Sequence, residues 1–302
     1  MTDLIIIGAG PAGLASAIYA LRAGLSVKVF EELSPGGQAA VTPEIENYPG
    51  IKSVSGADFA LSLFEQAMSL GAQIEFETVL SITCDGNTKI VKTDALEHKA
   101  KAVIIANGAK RRKLNIKGEE EFSGRGVSYC AVCDGSFYKG GVVLVIGGGN
   151  TALEDALYLA NICKKVYLVH RRDEFRATKN LIDKVKQNEK IEILFSFVLE
   201  KITGSDKVEQ VSLVNTKSGE TMKKEVNGVF VAIGLEPDNS RFENIVELEN
   251  GYIKAGEDCK TSKAGIFAAG DTRTKAVRQV VTAASDGAVA ATCAVEYINN
   301  IF

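Results

Sequence analysis

One pattern occurs twice in this chain, in register, and leaves few folds open. Leu4-Ile5-Ile6-Ile7 runs into Gly8-Ala9-Gly10-Pro11-Ala12-Gly13, and Val142 to Ile146 runs into Gly147-Gly148-Gly149-Asn150-Thr151-Ala152. Each is a short continuous apolar run, as in a strand buried in a parallel sheet, followed by a glycine turn and a helical stretch. In such a turn the first glycine permits the bend and the second lets backbone approach a pyrophosphate. The third small residue lets helix and strand pack closely. Gly8, Gly10 and Gly13 fill these places in the first copy, and Gly147, Gly149 and Ala152 in the second. Phosphates would rest on the helix N-terminus, over Pro11 and Ala12 in one case and Asn150 and Thr151 in the other.

The spacing carries the repeat further. Glu31 follows Gly8 by 23 positions, at the end of the strand Ser26–Phe30, and His170 follows Gly147 by the same 23. An acid there accepts from a free ribose 2′-OH. Arginines suit a 2′-phosphate, through bidentate contacts. Arg171 and Arg172, with Arg176 a turn later, therefore point to NADPH in the second site, the alternative being a basic surface. Glu31 points to a cofactor without that phosphate in the first. His170 would pack against adenine or cap a strand. A further echo joins Ala102–Gly108 to Gly228–Gly234: each strand ends in glycine, and Asn107-Gly108 and Gly234 would allow a cofactor to come close. Gly265–Asp271 repeats the strand-to-glycine pattern, with Asp271 after Gly270 as an acceptor for a ribityl chain. The tail from Arg278 reads as a long helix rich in small residues.

Ahead of the second unit stands Cys130-Ala131-Val132-Cys133-Asp134. Two thiols at this spacing close a small disulfide and lower one thiol's pKa, which suits redox cycling. Half a zinc site, or two incidental thiols, are the alternatives. Zinc needs four ligands, whereas Cys84, Cys163, Cys259 and Cys293 are solitary and His98 and His170 lie far apart. Those four cysteines read as buried small apolar residues.

A formal charge of −3 and a pI near 5.7 give no reason to expect nucleic acid. No apolar run approaches the roughly 18 residues of a membrane span, and the first strand begins too early for a signal peptide. These properties point to a cytoplasmic protein. The basic run Lys110–Lys113 reads as a solvated first linker, and Phe242–Gly251 as the second crossing. The expected fold is α/β, with two Rossmann-like nucleotide-binding domains, the second (114–243) inserted into the first (1–113 and 244–302).

Taken together, the chain closely resembles the low-molecular-weight bacterial thioredoxin reductases along its whole length. The matching stretches are Gly8–Gly13, Gly36-Gly37-Gln38, Glu46–Gly50 with Asn47, Cys130–Asp134, Gly147–Ala152, His170–Arg172 with Arg176, Gly265–Asp271 and Arg278-Gln279. The resemblance implies FAD in the first site, NADPH in the second, a homodimer, and thioredoxin as the disulfide substrate. It turns Gly36-Gly37-Gln38 and the Asn47 loop, which read as simple turns on their own, into flavin contacts. It also implies that Cys133 faces the flavin, that Cys130 attacks the substrate disulfide, and that Asp134 is the acid or base for the thiols; a turn or cap residue is the plainer reading of Asp134. Departures are Asn107, where Thr is common, which would tune the flavin edge, and Tyr129 and Val132 beside the cysteines. The rivals are an NADPH-dependent flavoprotein that reduces ferredoxin, flavodoxin or another dithiol carrier, and a redox-sensing scaffold without turnover.

Overall fold

The computed structural model describes residues 1–42 and 44–302, and these fall into two compact units, Met1–Lys110 with Glu236–Phe302, and Arg111–Leu235. In the first unit β1 (Thr2–Ile7) leads through the glycine turn into α1 (Pro11–Arg22) and β2 (Val27–Phe30). A short α2 (Gly37–Ala40) and α3 (Gly56–Ser69) precede β3 (Gln73–Glu75), β4 (Val79–Asp85), β5 (Thr88–Thr93) and β6 (Glu97–Ile105). Strand β1 lies between β2 and β6, parallel to both, while β4 and β5 fold back antiparallel onto β6. Leu4, Ile5 and Ile6 have no exposed surface. Each such side chain contributes roughly 1.5–3 kcal/mol on burial, which fixes β1 at the centre of the sheet.

The chain leaves this unit through β7 (Lys110–Arg111). The second unit holds β8 (Val127–Ser128), α4 (Ala131–Asp134), β9 (Val142–Ile146), α5 (Asn150–Ile162), β10 (Lys165–His170), α6 (Lys179–Gln187) and β11 (Ile191–Phe195). An antiparallel sheet of β12 (Phe197–Gly204), β13 (Val208–Asn215) and β14 (Thr221–Glu225) follows, then β15 (Gly228–Val231). The parallel sheet runs in the order β11-β10-β9-β15-β8. The return is β16 (Leu235–Glu236), paired with β7. The two pieces of chain that cross pair as one small ribbon, the first of them at the basic run Lys110–Lys113 expected as a linker, where Lys110, Arg112 and Lys113 are exposed.

Back in the first unit come β17 (Leu248–Glu249), β18 (Tyr252–Ile253), β19 (Ile266–Ala268), which adds parallel to β6, and α7 (Val280–Ile301). The units change over at Leu235–Glu236, before the Phe242–Gly251 stretch expected to cross. Phe242 and Val246 are buried with Phe30 and Val79 in the first unit's core, so this stretch is anchored there. Helix α7 lies directly on α1: a Cβ on Gly287 would come within 2.3 Å of the Ala12 carbonyl oxygen. Cys163 and Cys259 are buried as expected, whereas Cys84 and Cys293 are only half-buried. Among the described residues no helix is long and apolar enough to cross a membrane.

Candidate functional site

The two glycine turns are built alike. A Cβ on Gly8 would lie 2.5 Å from the Ala106 carbonyl oxygen at the end of β6, and one on Gly147 would lie 2.4 Å from that of Ala232 after β15. Gly8 has φ +102° and Gly147 φ +154°, which only glycine adopts without strain. A Cβ on Gly13 would sit 1.8 Å from the Gly8 oxygen, so helix and turn touch as the spacing predicts. By contrast a Cβ on Gly10 would meet nothing nearer than 3.9 Å, and one on Gly149 nothing within 4 Å. The second glycine of each turn therefore faces open space. Neither α1 nor α5 has a side-chain cap, which leaves first-turn N–H groups available to a pyrophosphate. The residues fit two dinucleotides.

Around the first turn the predicted residues converge. Glu31 accepts from the Ala9 N–H at 2.7 Å through one carboxylate oxygen and from the Leu33 N–H at 2.9 Å through the other, which aims it at the turn's mouth. Gly36, at φ +104°, donates its N–H to the Ala9 oxygen at 2.8 Å, and a Cβ on Gly37 would be 3.3 Å from Gly10. Gly36 and Gly37 thus bring the start of α2, with Gln38, against the phosphate turn. Asn47 donates to the Gln279 side chain at 3.0 Å, joining two residues that lie far apart in the chain. Arg278 stacks on Tyr252 at 4.2 Å.

Asp271 sits in a single 3-10 turn, Gly270–Thr272, fixed from behind by Asp286. Asp286 accepts from the Gly270 N–H at 2.9 Å, from two nitrogens of Arg273 at 2.8 Å each, and from Lys275 at 2.8 Å. Nothing in the motifs pointed to this buried trio, because its members are single charges in a helix and a loop. Asn107 departs from expectation in another way. Both hydrogens of its amide go to Asp238 and Asn239, and its oxygen lies 2.8 Å from the Thr272 hydroxyl. It ties chain segments together and has no amide hydrogen left for a flavin edge. Gly108 beside it is open on its Cα side. Arg241, also missed, reaches the Val79 carbonyl at 2.7 Å and lines the same cleft as Gly8, Phe30 and Glu31.

In the second unit a cleft gathers Gly147, Gly149, Thr151, His170, Arg171, Arg172, Arg176 and Gly234. Arg112 and Lys113 line it too, so half of the basic run belongs to a binding cleft. The Arg176 N–H donates to the Gly148 oxygen at 2.7 Å, and Asn150 Oδ1 accepts from the Thr178 N–H at 2.9 Å. These two bonds clamp the arginine loop to the glycine turn. Asn150 is a brace, and the three arginines stay exposed. His170 is buried beneath the turn: a Cβ on Gly148 would lie 2.3 Å from its ring, and Phe175 stacks on it at 5.7 Å. Burial first, then the neighbouring arginines, pushes its pKa down, so it is neutral at pH 7.

Cys130 and Cys133 are joined in a disulfide, their Cα atoms 5.3 Å apart, on the half-buried turn that starts α4. Cys130 Sγ accepts from the Cys133 N–H at 3.2 Å. Among the described residues no group of three or more His, Cys, Asp or Glu is arranged to hold a metal. Ser128 organises the segment. Its hydroxyl donates to Asp134 Oδ2 at 2.5 Å, and its oxygen accepts from the Cys130 N–H at 3.1 Å. The other Asp134 oxygen is buried with no hydrogen-bond partner. Burial pushes the Asp134 carboxyl up, against the Ser128 bond and the charge of Arg111. Burial thus favours the protonated carboxyl of Asp134 relative to an exposed one.

Two dinucleotide turns and a disulfide beside a carboxyl of raised pKa define a nucleotide-dependent disulfide oxidoreductase. The chain belongs to the pyridine nucleotide-disulphide oxidoreductase family, which matches residues 2–287. It is 44% identical over 301 residues to the thioredoxin reductase of Bacillus subtilis, covering 99% of this chain and 95% of that one. The crystal structure of the thioredoxin reductase from Streptococcus pyogenes has a TM-score of 0.95 at 41% identity, covering 100% of this chain and 99% of that one. The Lactococcus lactis thioredoxin reductase, in what is termed its FR conformation, has a TM-score of 0.68 at 39% identity, with both chains covered in full.

Proposed function

We propose that this chain is an NADPH-dependent thioredoxin-disulfide reductase: a flavoprotein that holds FAD in the first unit and NADPH in the second and reduces oxidised thioredoxin through Cys130 and Cys133. The observation that carries the reading is the disulfide next to Asp134 in a chain with two dinucleotide turns. Thioredoxin reductases related over the full length support it, and so does the absence of any need for this pair in a ferredoxin or flavodoxin reductase. FAD, when bound, would supply the two-electron chemistry that links NADPH to the Cys130–Cys133 disulfide.

The chain's own residues do the rest. Gly10, Gly36, Gly37 and the first turn of α1 would receive the FAD pyrophosphate, with Gly13 packing the helix against the turn; Glu31 would take the ribose and Asp271 the ribityl chain. Arg171, Arg172 and Arg176 take the 2′-phosphate of NADPH. With the pair reduced, the Cys130 thiolate attacks one sulfur of the thioredoxin disulfide. That S–S bond breaks, a mixed disulfide forms, and the leaving thiolate is protonated. Cys133 then attacks Cys130 Sγ, which restores the internal disulfide and releases the second thioredoxin thiol. Asp134 moves the proton at Cys133 and Cys130, with Ser128 fixing its orientation. The balance is one NADPH and one proton consumed per disulfide reduced.

The disulfide rides on the NADPH-binding unit, so nicotinamide and disulfide must reach the flavin in turn. The unit therefore swivels about the β7–β16 ribbon. The active form is a homodimer in the cytoplasm. The deciding experiment is NADPH oxidation with thioredoxin and a terminal disulfide, comparing wild type with Cys133→Ser. Turnover by wild type alone, with hydride still reaching the flavin of the variant, is expected. Equal NADPH consumption by both would overturn the reading in favour of a ferredoxin or flavodoxin reductase.

A further inference from the structure

Tyr129, one of the departures beside the cysteines, is held from two sides. Its hydroxyl donates to Glu119 at 2.9 Å, and the guanidinium of Arg111 lies over its ring at 5.7 Å from the centroid. Glu119 is itself buried and accepts from the N–H groups of Leu114 and Asn115 at 2.8 and 2.6 Å. Burial, and then the bond to Glu119, push the phenol's pKa up, so Tyr129 stays neutral and its ring stays a fixed platform. Arg111 is thereby pinned next to the segment that bears Cys130 and Asp134, by a chain of contacts that begins three residues after Arg111 itself.

We propose that Arg111 is a positioning residue of the redox centre: held on the Tyr129 ring, it places a permanent positive charge beside the Cys130–Asp134 segment and stabilises the anions formed when the disulfide opens. The geometry suits the task, because guanidinium is always charged, packs flat on an aromatic face and is weakly hydrated. Opening the disulfide creates negative charge in a half-buried turn where Asp134 is already costly to ionise. Beside the turn, Ser128 on β8 carries no charge and burial pushes the Tyr138 phenol up, while the ring of Tyr158 on α5 would lie 3.0 Å from a Cβ on Gly135. Asp155, three residues earlier on α5, is pushed up to about 7 by burial. Arg111 is the cation acting on Asp134, drawing its carboxyl down against burial. A lysine in its place keeps the charge and loses the flat stacking.

This inference rests on the reductase reading, and its test is made independent of turnover. In a Cys133→Ser background, with flavin bound, the alkylation of Cys130 by iodoacetamide is followed against pH by mass spectrometry of the Cys130 peptide. Neither NADPH nor thioredoxin is needed, so failure of the reductase reading would appear separately, as wild type without turnover. Adding Arg111→Met should move the midpoint up by roughly 0.5–1 pH unit and slow alkylation near pH 7 by about three- to tenfold. Arg111→Lys should restore most of the rate. Superimposable curves for Arg111→Met and its parent, or an equal loss in Arg111→Lys, would overturn the proposal. If Arg111→Met fails to fold, Tyr129→Leu, which unpins the guanidinium, carries the test: an upward shift supports the proposal and an unchanged midpoint overturns it.

Discussion

The hydroxyl of Thr272 lies 2.8 Å from Asn107 Oδ1, and Asn239 Oδ1 lies at the same distance on its other side. Three side chains from three segments share these bonds: the end of β6, the stretch after the second crossing, and the turn that carries Asp271. Removing one partner leaves buried polar atoms unsatisfied. Asn107→Ala should therefore destabilise the flavin-loaded protein by about 1–3 kcal/mol, read from the urea midpoint.

Ser128→Ala removes the bond that stabilises ionised Asp134. That bond holds the carboxyl down, so its loss raises a pKa that burial has already raised. The pH profile of thioredoxin reduction should shift upward by roughly 1–2 units, with flavin content unchanged. An unshifted profile would remove Asp134 from the proton transfer.

The glycine turns allow a contrast between two alanines. Gly13→Ala places a methyl 1.8 Å from the Gly8 oxygen and should yield protein without flavin absorbance. Gly149→Ala meets no protein atom within 4 Å, so it should fold and retain flavin. Its methyl enters the space of the nucleotide, and KM for NADPH should rise about tenfold or more, with hydride transfer at saturation largely preserved.

Replacing Arg171 and Arg172 together by Met should raise KM for NADPH by on the order of tenfold to a hundredfold and leave that for NADH nearly unchanged. A parallel rise for both nucleotides would return the arginines to the status of a basic surface.

Asp155 is pushed up to about 7 by burial, with Glu154 adding to it. A carboxyl raised on folding gives stability that is full below its ordinary pKa of 3.8 and is lost as pH rises through about 7. Asp155→Asn should accordingly raise stability at pH 8 by about 2 kcal/mol after solvent screening, seen as a higher melting temperature, and leave it nearly unchanged near pH 4.

The two Rossmann-like cores were legible because their signal is local: an apolar run, glycines at fixed offsets and a charge one strand later. Arg171, Arg172 and Arg176 could be read for the same reason. Ser128 could not, since a serine two residues before a cysteine has no pattern of its own and acts only once α4 folds back over it. Asp286 and Arg273 were silent because their pairing depends on α7 returning to a turn made by β19. The meeting of Asn47 with Gln279 is invisible in spacing; the resemblance supplied both names but not the bond. The basic run was misread in part because a charge run on a surface and one lining a cleft have the same composition.

The first unit is interrupted, and this sets the order in which the protein can be made. Residues 111–235 form a continuous stretch that can close its own core as soon as it has been synthesised. Strands β1, β2 and β6 appear earlier but must wait for β19 to complete their sheet and for α7 to cover α1. Until those last segments emerge, the face of α1 that receives Gly287 is open to solvent and the Asp271 turn does not exist. The flavin site is thus completed by segments far apart in the chain, so capture of flavin depends on long-range contacts that the redox centre's own unit does not need.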